Sequence, residues 1–257
     1  MYNYPYLLSV FISIKEFLGL ISLNHATEKE FKINIPKKVQ NGPFKGMIYE
    51  CKLFWGNIYP KLIGSYESEL FGIINKLLRY NFDNVINVGC AEGYYAVGFA
   101  LKSNVEKVIA VDPLKSSRKE VISLSEKNEV EDRIELKIWT SAKRLSDWVK
   151  ERTLIIMDCE GSEVGYLKNH PSTNFHKAYI LCEIHDFSAH PNIGIDLINR
   201  FEKTHKIKIL KQQKRESKQY KIIESFDERM KAKLLDEQRP KNNYWIYFEP
   251  LLKSKFL

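Results

Sequence analysis

Acidic side chains and a histidine follow two apolar runs of the sequence. Asp158 and Glu160 come directly after the run Leu154–Met157. Glu183, His185 and Asp186 lie at the end of the run Tyr179–Ile184. If both runs are parallel strands, their carboxyl ends share the edge of the sheet where ligands bind in open α/β folds. Carboxylates beside an imidazole can hold a hydroxyl group and take up its proton, so we predict a proton-transfer site here.

His185 is the first candidate for the base, because the ordinary pKa of imidazole lies near neutral pH. Asp158 and Glu160 are candidates for holding the acceptor group. Structural roles are the alternatives: His185 packs beside Asp186 or caps the next segment, and the two acids cap a helix beginning at Ser162–Lys168. The same ligands can also bind magnesium, and Asp158, Glu183 and His185 are then the expected set.

A glycine-containing turn joins the apolar run Val85–Val88 to a segment of helical character. Gly89 permits a tight turn, and Gly93 lets the helix begin close to a ligand. The free N–H groups and the positive end of this helix face the polar part of a bound cofactor. The expected cofactor-binding residues of the turn are Asn87, Gly89, Cys90, Ala91, Glu92, Gly93 and Tyr94.

Asp112 ends the next apolar run, Val108–Val111. An acid at this place accepts hydrogen bonds from the two hydroxyls of a ribose in dinucleotide folds. The alternative is a strand-end or helix-capping role before Pro113. Trp139 and Thr140 end a third run and are expected to border an adenine ring, unless Trp139 belongs to the core.

The remaining pattern predicts an α/β fold. Apolar runs that do not alternate are typical of parallel strands covered on both faces. The predicted strands are Val85–Val88, Val108–Val111, Ile134–Trp139, Leu154–Met157, Tyr179–Ile184, His205–Leu210 and Tyr244–Glu249. Helices are predicted over Leu62–Tyr80 and Phe226–Gln238. We therefore predict a Rossmann-like, seven-stranded, mostly parallel sheet with helices on both faces.

The chain is predicted to divide into an N-terminal helical accessory region (residues 1–61) and a cofactor-binding domain (62–257). Leu7–Leu23 has the spacing of an amphipathic helix, docked on the domain or on a second subunit. Peripheral membrane contact is the minor alternative. Lys15 and Glu16 interrupt this segment, so neither a signal peptide nor a transmembrane span is expected.

The charge and the cysteine content of the sequence indicate which partners and which cellular compartment to expect. With 40 basic and 32 acidic residues, the formal net charge is +8. A lysine-rich solvated surface or attraction to an anionic partner explains this excess. The run Lys203–Lys218 fits either case: it can guide an anionic substrate or form a solvated edge strand and loop. The four cysteines are widely spaced, with no CxxC pair, so reduced thiols and a cytoplasmic location are expected.

The sequence resembles class I S-adenosylmethionine-dependent methyltransferases, and among them the FkbM-like group. The resemblance lies in Asn87–Tyr95 (NVGCAEGYY), Val111–Asp112, Met157–Glu163 (MDCEGSE) and Cys182–Phe187 (CEIHDF), with weaker matches at Gly42–Met47 and Gly64–Glu69. It implies S-adenosylmethionine as donor, held by the turn residues together with Asp112, Trp139, Thr140 and Asp158. It also implies an oxygen acceptor on a sugar or natural product. Asn87 replaces the usual acid of the first strand, and Ala91 replaces the middle glycine.

Three function classes remain open. The first is O-methylation of a small molecule or glycan hydroxyl. The second is methylation of RNA or protein; RNA is disfavoured because no Asn/Asp-Pro-Pro-aromatic loop and no Pro-Cys pair occur, and DNA is not expected. The third is a non-catalytic nucleotide-binding protein with the same fold. An NAD-dependent enzyme fits less well, since the turn lacks the full GxGxxG pattern.

Overall fold

A seven-stranded sheet forms the centre of the molecule. The computed structural model describes residues 35–52, 54, 56–168, 173–186, 191–240 and 242–251, and the predicted N-terminal helix Leu7–Leu23 lies outside them. The strands are β1 (Asn84–Val88), β2 (Val108–Val111), β3 (Ile134–Lys137), β4 (Thr153–Met157), β5 (Tyr179–Ile184), β6 (His205–Lys211) and β7 (Tyr244–Pro250). Their order is β3-β2-β1-β4-β5-β7-β6. Strands β1 to β5 pair in parallel, and β7 runs antiparallel to both β5 and β6.

Helices cover both faces of this sheet. They are α1 (Ile58–Ile63), α2 (Phe71–Leu77), α3 (Tyr94–Lys102), α4 (Lys115–Lys127), α5 (Ala142–Asp147), α6 (Ile193–Phe201) and α7 (Glu228–Leu235). Alternate residues of each strand enter separate buried clusters, as the pleat requires. Val85 and Ile156 pack on the face that carries α3, whereas Ile86 and Ile155 pack on the face that carries α6. The predicted α/β fold with a mostly parallel sheet is confirmed.

Three predicted elements differ from the structure. The helix predicted over Leu62–Tyr80 is two helices, because Gly64 ends α1 in the left-handed region (φ +77°). A Cβ at Gly64 would lie 2.1 Å from the carbonyl oxygen of Asn41, so only glycine fits there. Strand β3 ends at Lys137 rather than at Trp139. The predicted helix Phe226–Gln238 shortens to α7, which begins where Asp227 accepts the N–H of Met230.

The described part of the upstream region packs into the main core. Phe44, Met47 and Tyr49 are buried in the same cluster as Val85 and the residues of α3. The side chain of Asn128, after α4, bonds both the N–H and the carbonyl of Ile48, each at 2.8 Å. Ile48 and its described neighbours Phe44, Met47 and Tyr49 therefore belong to the surface against which α3 and α4 are placed. Among the described residues, no helix has the length and apolar character needed to cross a bilayer.

We predict opposite effects of the same substitution at two helical glycines. A Cβ at Gly98 in α3 would lie 2.7–2.8 Å from three ring carbons of buried Phe44, whereas nothing lies within 4 Å of one at Gly72 in α2. Alanine favours a helix by about 1 kcal/mol over glycine, but overpacking costs about 1–3 kcal/mol. Urea unfolding should show Gly72→Ala more stable than the wild type and Gly98→Ala less stable. Shifts of equal sign would contradict the close packing of Phe44 on α3.

Candidate functional site

The turn after β1 is fixed by backbone contacts. Gly89 has φ +74°, and a Cβ there would lie 1.6 Å from the carbonyl oxygen of Asp158. The N–H groups of Gly89 and Cys90 both donate to the carbonyl of Val111, at 2.9 and 3.1 Å. Gly93, with φ +100°, stands at the start of α3. These contacts bring the turn against the ends of both β2 and β4; we call residues 89–93 the bend.

Asp112 holds the bend from the end of β2. Its Oδ2 accepts the N–H of Ala91 at 3.0 Å, and its Oδ1 accepts the N–H of Leu114 at 2.8 Å. Ala91 has φ +47°, an unfavourable value for a residue with a side chain, and the bond to Asp112 holds it there. Burial raises the pKa of Asp112 to about 6, against the lowering effect of the two N–H groups. The sequence placed Asp112 near this turn but did not reveal that it bonds Ala91.

Asn87 carries a buried oxygen without a partner. The residue is 1% exposed, and its Nδ2 donates a long bond of 3.4 Å to the carbonyl of Ile156. Among the described residues, no hydrogen bond reaches its Oδ1. A buried acceptor left unsatisfied costs about 1–3 kcal/mol, so this oxygen is suited to a ligand that donates a hydrogen bond.

Two expected cofactor residues, Glu92 in the bend and Tyr94 directly after it, have side chains that contact the upstream region. Glu92 is buried and accepts hydrogen bonds from Lys61 and from the hydroxyl of Tyr49. Tyr94 packs edge-to-face against Phe44, Tyr49 and Tyr66. Cys90 is also buried. These three side chains are buried, so the role of Cys90, Glu92 and Tyr94 as cofactor contacts stays a prediction for their main chain.

Trp139 and Thr140 follow the end of β3. Trp139 is 54% exposed, so it does not belong to the core, and the guanidinium of Arg144 lies 4.9 Å from the centroid of its indole ring. Thr140 is buried. An exposed indole beside the sheet edge offers a flat stacking surface.

The predicted acids and histidine meet at the ends of β4 and β5. The Nε2 atom of His185 lies 3.6 Å from Asp158, 3.7 Å from Glu160 and 3.5 Å from Glu183. We call these four residues the acid–histidine cluster. The N–H of Asp158 bonds the carbonyl of Val88 at 3.0 Å, so the cluster begins next to the bend.

Glu163, for which the sequence predicts no role, organises this cluster. Its Oε1 lies 3.0 Å from Nδ1 of His185 and accepts the N–H groups of Cys159 and Gly161 at 3.2 Å. Glu163 therefore caps the turn after β4, whereas the structural alternative for Asp158 and Glu160 was to cap a helix beginning at Ser162–Lys168. Burial lowers the pKa of His185, but the bond to Glu163 and the charge of Glu183 outweigh it and raise that pKa well above its ordinary value. A raised pKa favours the protonated ring, so the role of His185 as a neutral base stays a prediction.

Asp186 does not join the cluster. Its carboxylate faces the N–H of Gly194 at 3.4 Å and the hydroxyl of Tyr244 at 3.1 Å. The alternative in which His185 packs beside Asp186 is therefore not the arrangement of the structure.

A second unpredicted residue, Arg239, supports the cluster from the loop between α7 and β7. Its guanidinium bonds Glu183 and lies 3.0 Å from Glu69 and 3.5 Å from Glu67. Arg215 joins the same buried network through Glu69 and Glu237. Arg215 is therefore not part of a solvated edge, which was one interpretation of the basic run Lys203–Lys218.

Comparisons with known proteins find similarity to solved structures and to nothing else that was compared. No family model and no curated protein matches the sequence. An rRNA methylase from Streptococcus thermophilus is 11% identical, with a TM-score of 0.46 over 74% of this chain and 96% of that one. A ribosomal protein L11 methylase from Lactobacillus delbrueckii subsp. bulgaricus is 15% identical, with a TM-score of 0.45 over 77% and 81% of the two chains.

A S-adenosylmethionine-dependent O-methyltransferase from Thermotoga maritima is 11% identical, with a TM-score of 0.44 over 69% of this chain and 63% of that one. Identities and TM-scores this low say nothing about substrate or activity.

We predict that Asp112 makes stability depend on pH. Its pKa is about 6 in the folded chain and 3.8 ordinarily, so the folded chain binds this proton more tightly. The contribution is fully present below pH 3.8 and is lost as pH rises through about 6. The free energy of unfolding of the wild type minus that of Asp112→Asn should therefore fall between pH 4 and 7, by up to roughly 3 kcal/mol.

Urea titrations at several pH values measure this difference. Asp147→Asn is the control, because the side chain of Asp147 is 57% exposed and pairs with Lys143 on the surface. A flat difference for Asp112→Asn would show that this carboxylate is not buried against the bend.

Proposed function

We propose that the chain is an S-adenosylmethionine-dependent methyltransferase acting on a hydroxyl of a small molecule or glycan, as in the FkbM-like group. One observation carries the proposal: the bend held by Asp112 touches, through Gly89 and Asp158, a cluster able to bind a hydroxyl. A nucleoside site at the bend and a proton-transfer site at the cluster would thus lie next to each other at the carboxyl edge of the sheet, where open α/β folds bind ligands.

The described residues fit this cofactor. The unsatisfied Oδ1 of Asn87 would accept a hydrogen bond from the methionine amine. The carboxylate of Asp112 accepts two N–H groups and a hydrogen bond from Ser117, and it has capacity for about one further bond, to a ribose hydroxyl. Trp139 would stack on the adenine ring, with Thr140 beside it. S-adenosylmethionine supplies an electrophilic methyl group on a sulfonium.

Asp158, Glu160 and His185 would act on the acceptor. Methyl transfer needs the attacking oxygen in line with the methyl group, and holding both reactants in place supplies much of the acceleration. His185 is buried and Asp158 is half-buried, and both are fixed by neighbours, so they would position the hydroxyl. Glu160 is more exposed, with 58% of its side chain accessible, and it would take the proton out to solvent.

The carboxylates of the acid–histidine cluster also limit which charge the acceptor can carry. A negative group on the acceptor would be repelled by the cluster, so an anionic part must lie farther away. A cavity of about 770 Å³ is lined by four basic side chains (Lys214, Arg215, Lys218 and Lys231) and four acidic ones (Glu216, Glu228, Asp236 and Glu237), so its charge is balanced and it does not favour an anionic group. The four free cysteines fit a reducing compartment such as the cytoplasm.

We predict that S-adenosylhomocysteine binds and NAD does not. Isothermal titration calorimetry of the full chain measures both. Asp112→Ala should weaken S-adenosylhomocysteine binding by about 1.5–3 kcal/mol, or roughly 10- to 150-fold, because a charge-assisted hydrogen bond is lost. Asn87→Leu should weaken it by about 1 kcal/mol, the value of a neutral bond. Asp147→Ala, on the exposed end of α5, is the control and should bind as the wild type does.

Two results would overturn this function. If titration with S-adenosylhomocysteine releases or takes up no heat, both the methyltransferase activity and the cofactor site are wrong. Normal binding with no methyl transfer to any hydroxyl of a glycan and natural-product panel favours the non-catalytic nucleotide-binding protein instead.

A further inference from the structure

A metal ion fits between the residues of the acid–histidine cluster. We propose that Asp158, Glu183 and His185 bind one divalent cation of the Mn²⁺ class beside the bend. The inference deepens the proposed function, on which its catalytic role rests, since the ion would hold the acceptor hydroxyl. The binding itself stands on the geometry of these side chains.

The distances are those of a site that needs only a small contraction. One ligand atom from each of Asp158, Glu183 and His185 lies within 4.8 Å of the others. Nε2 of His185 is 3.6 Å from Oδ1 of Asp158 and 3.5 Å from Oε2 of Glu183. Ligands about 2.1 Å from one ion lie about 3.0–3.4 Å apart, in octahedral or tetrahedral geometry. The two distances to Nε2 would have to shorten by a few tenths of an ångström, and the separation between the two carboxylates, which is at most 4.8 Å, would have to shorten as well.

The imidazole of His185 is held in the way that a metal-binding histidine usually is. His185 has a side chain only 10% exposed, and its Nδ1 lies 3.0 Å from Oε1 of the fully buried Glu163. Among the described residues, no hydrogen bond reaches Nε2, although this atom points at three carboxylates. Metal-binding histidines almost always give their other ring nitrogen to a carboxylate or carbonyl, which fixes the ring and its tautomer. Glu163 occupies that position here.

Glu183 is oriented in the same way. Arg239 bonds its Oε1, which leaves Oε2 facing Nε2 of His185. Arg239 is itself fixed by Glu69 and Glu67 on the other side of its guanidinium. Two of the three ligands are therefore held by buried ionic partners, so the site is preorganised.

Charge also favours a cation. Four carboxylates, those of Asp158, Glu160, Glu163 and Glu183, lie around one imidazole, so Arg239 and a protonated His185 together offset only two of them. Buried negative charge without a partner is costly, although the chain as a whole carries +8. A divalent ion would offset two of these charges. One imidazole with two carboxylates suits Mn²⁺ better than Mg²⁺, which prefers oxygen alone.

Such an ion would assist the acceptor directly. A hydroxyl bound to a divalent metal gives up its proton more readily than a free one. Glu160 lies 3.7 Å from Nε2 of His185 and would receive this proton, which leaves the acceptor oxygen with the electron pair of the former O–H bond.

The experiment uses the full chain after treatment with a chelator, without cofactor. Titration with MnCl₂, followed by the electron paramagnetic resonance of free Mn²⁺, should show one ion bound per chain. Asp158→Asn and His185→Gln should each weaken binding at least 10-fold. Glu163→Gln should weaken it about 10- to 100-fold without being a ligand, because the ring loses its orientation. Asp147→Asn, on the surface of α5, should bind Mn²⁺ as the wild type does.

A second measurement does not depend on the folding of any variant. In the wild type, bound Mn²⁺ should broaden the imidazole NMR signals of His185 and spare those of His205, whose Nε2 bonds the carbonyl of Ala178 near the other end of β5. Absence of binding would overturn the proposal, and so would binding that His185→Gln leaves unchanged or that broadens both rings equally. Titration of the same chelator-treated protein with S-adenosylhomocysteine separates the two proposals. If S-adenosylhomocysteine binds and Mn²⁺ does not, only the metal site is wrong. If Mn²⁺ binds and S-adenosylhomocysteine does not, only the methyltransferase proposal is wrong.

Discussion

The backbone of Gly89 touches the backbone of Asp158, and this contact sets the distance between the two halves of the candidate site. No side chain fits between them, since a Cβ at Gly89 would lie 1.6 Å from the carbonyl of Asp158. The bend consequently lies at the end of β4 as well as of β1. Asp112 completes the arrangement, because its hydrogen bond holds Ala91 in a left-handed backbone conformation that is unfavourable for a residue with a side chain. The proposed cofactor and acceptor positions would therefore be linked through main chain rather than through side chains.

Buried charge is the second constraint on the site. Burial, with Glu183 and Glu237, raises the pKa of Glu67 to about 8, against the lowering effect of Arg239. Removing one member of such a network leaves a buried charge without a partner, which is strongly destabilising. The network joins the loop before α2 to the loop before β7 and to the end of β5. Its members are thus constrained as a set, and the position of Glu183 depends on residues outside the site.

The sequence predicts the sheet well because parallel strands buried on both faces leave continuous apolar runs, as at Val85–Val88 and Leu154–Met157. It also predicts that Asp158 and His185 meet, because both follow strands that end at one edge. Contacts between distant residues escape such reasoning. The break at Gly64 depends on the carbonyl of Asn41, and Arg239 bonds Glu183 at a separation of 56 residues. No local pattern of residue types encodes either contact.

The bonds between Asn128 and Ile48 have a consequence for synthesis of the chain. Ile48 leaves the ribosome 80 residues before its partner. At about 5–20 residues per second, Ile48 waits roughly 4–16 s before Asn128 is made. Until the helices that bury them are made, Phe44, Met47 and Tyr49 are exposed to solvent as part of a nascent segment. The native state thus keeps these three side chains inside, while biosynthesis leaves them open to chaperones first.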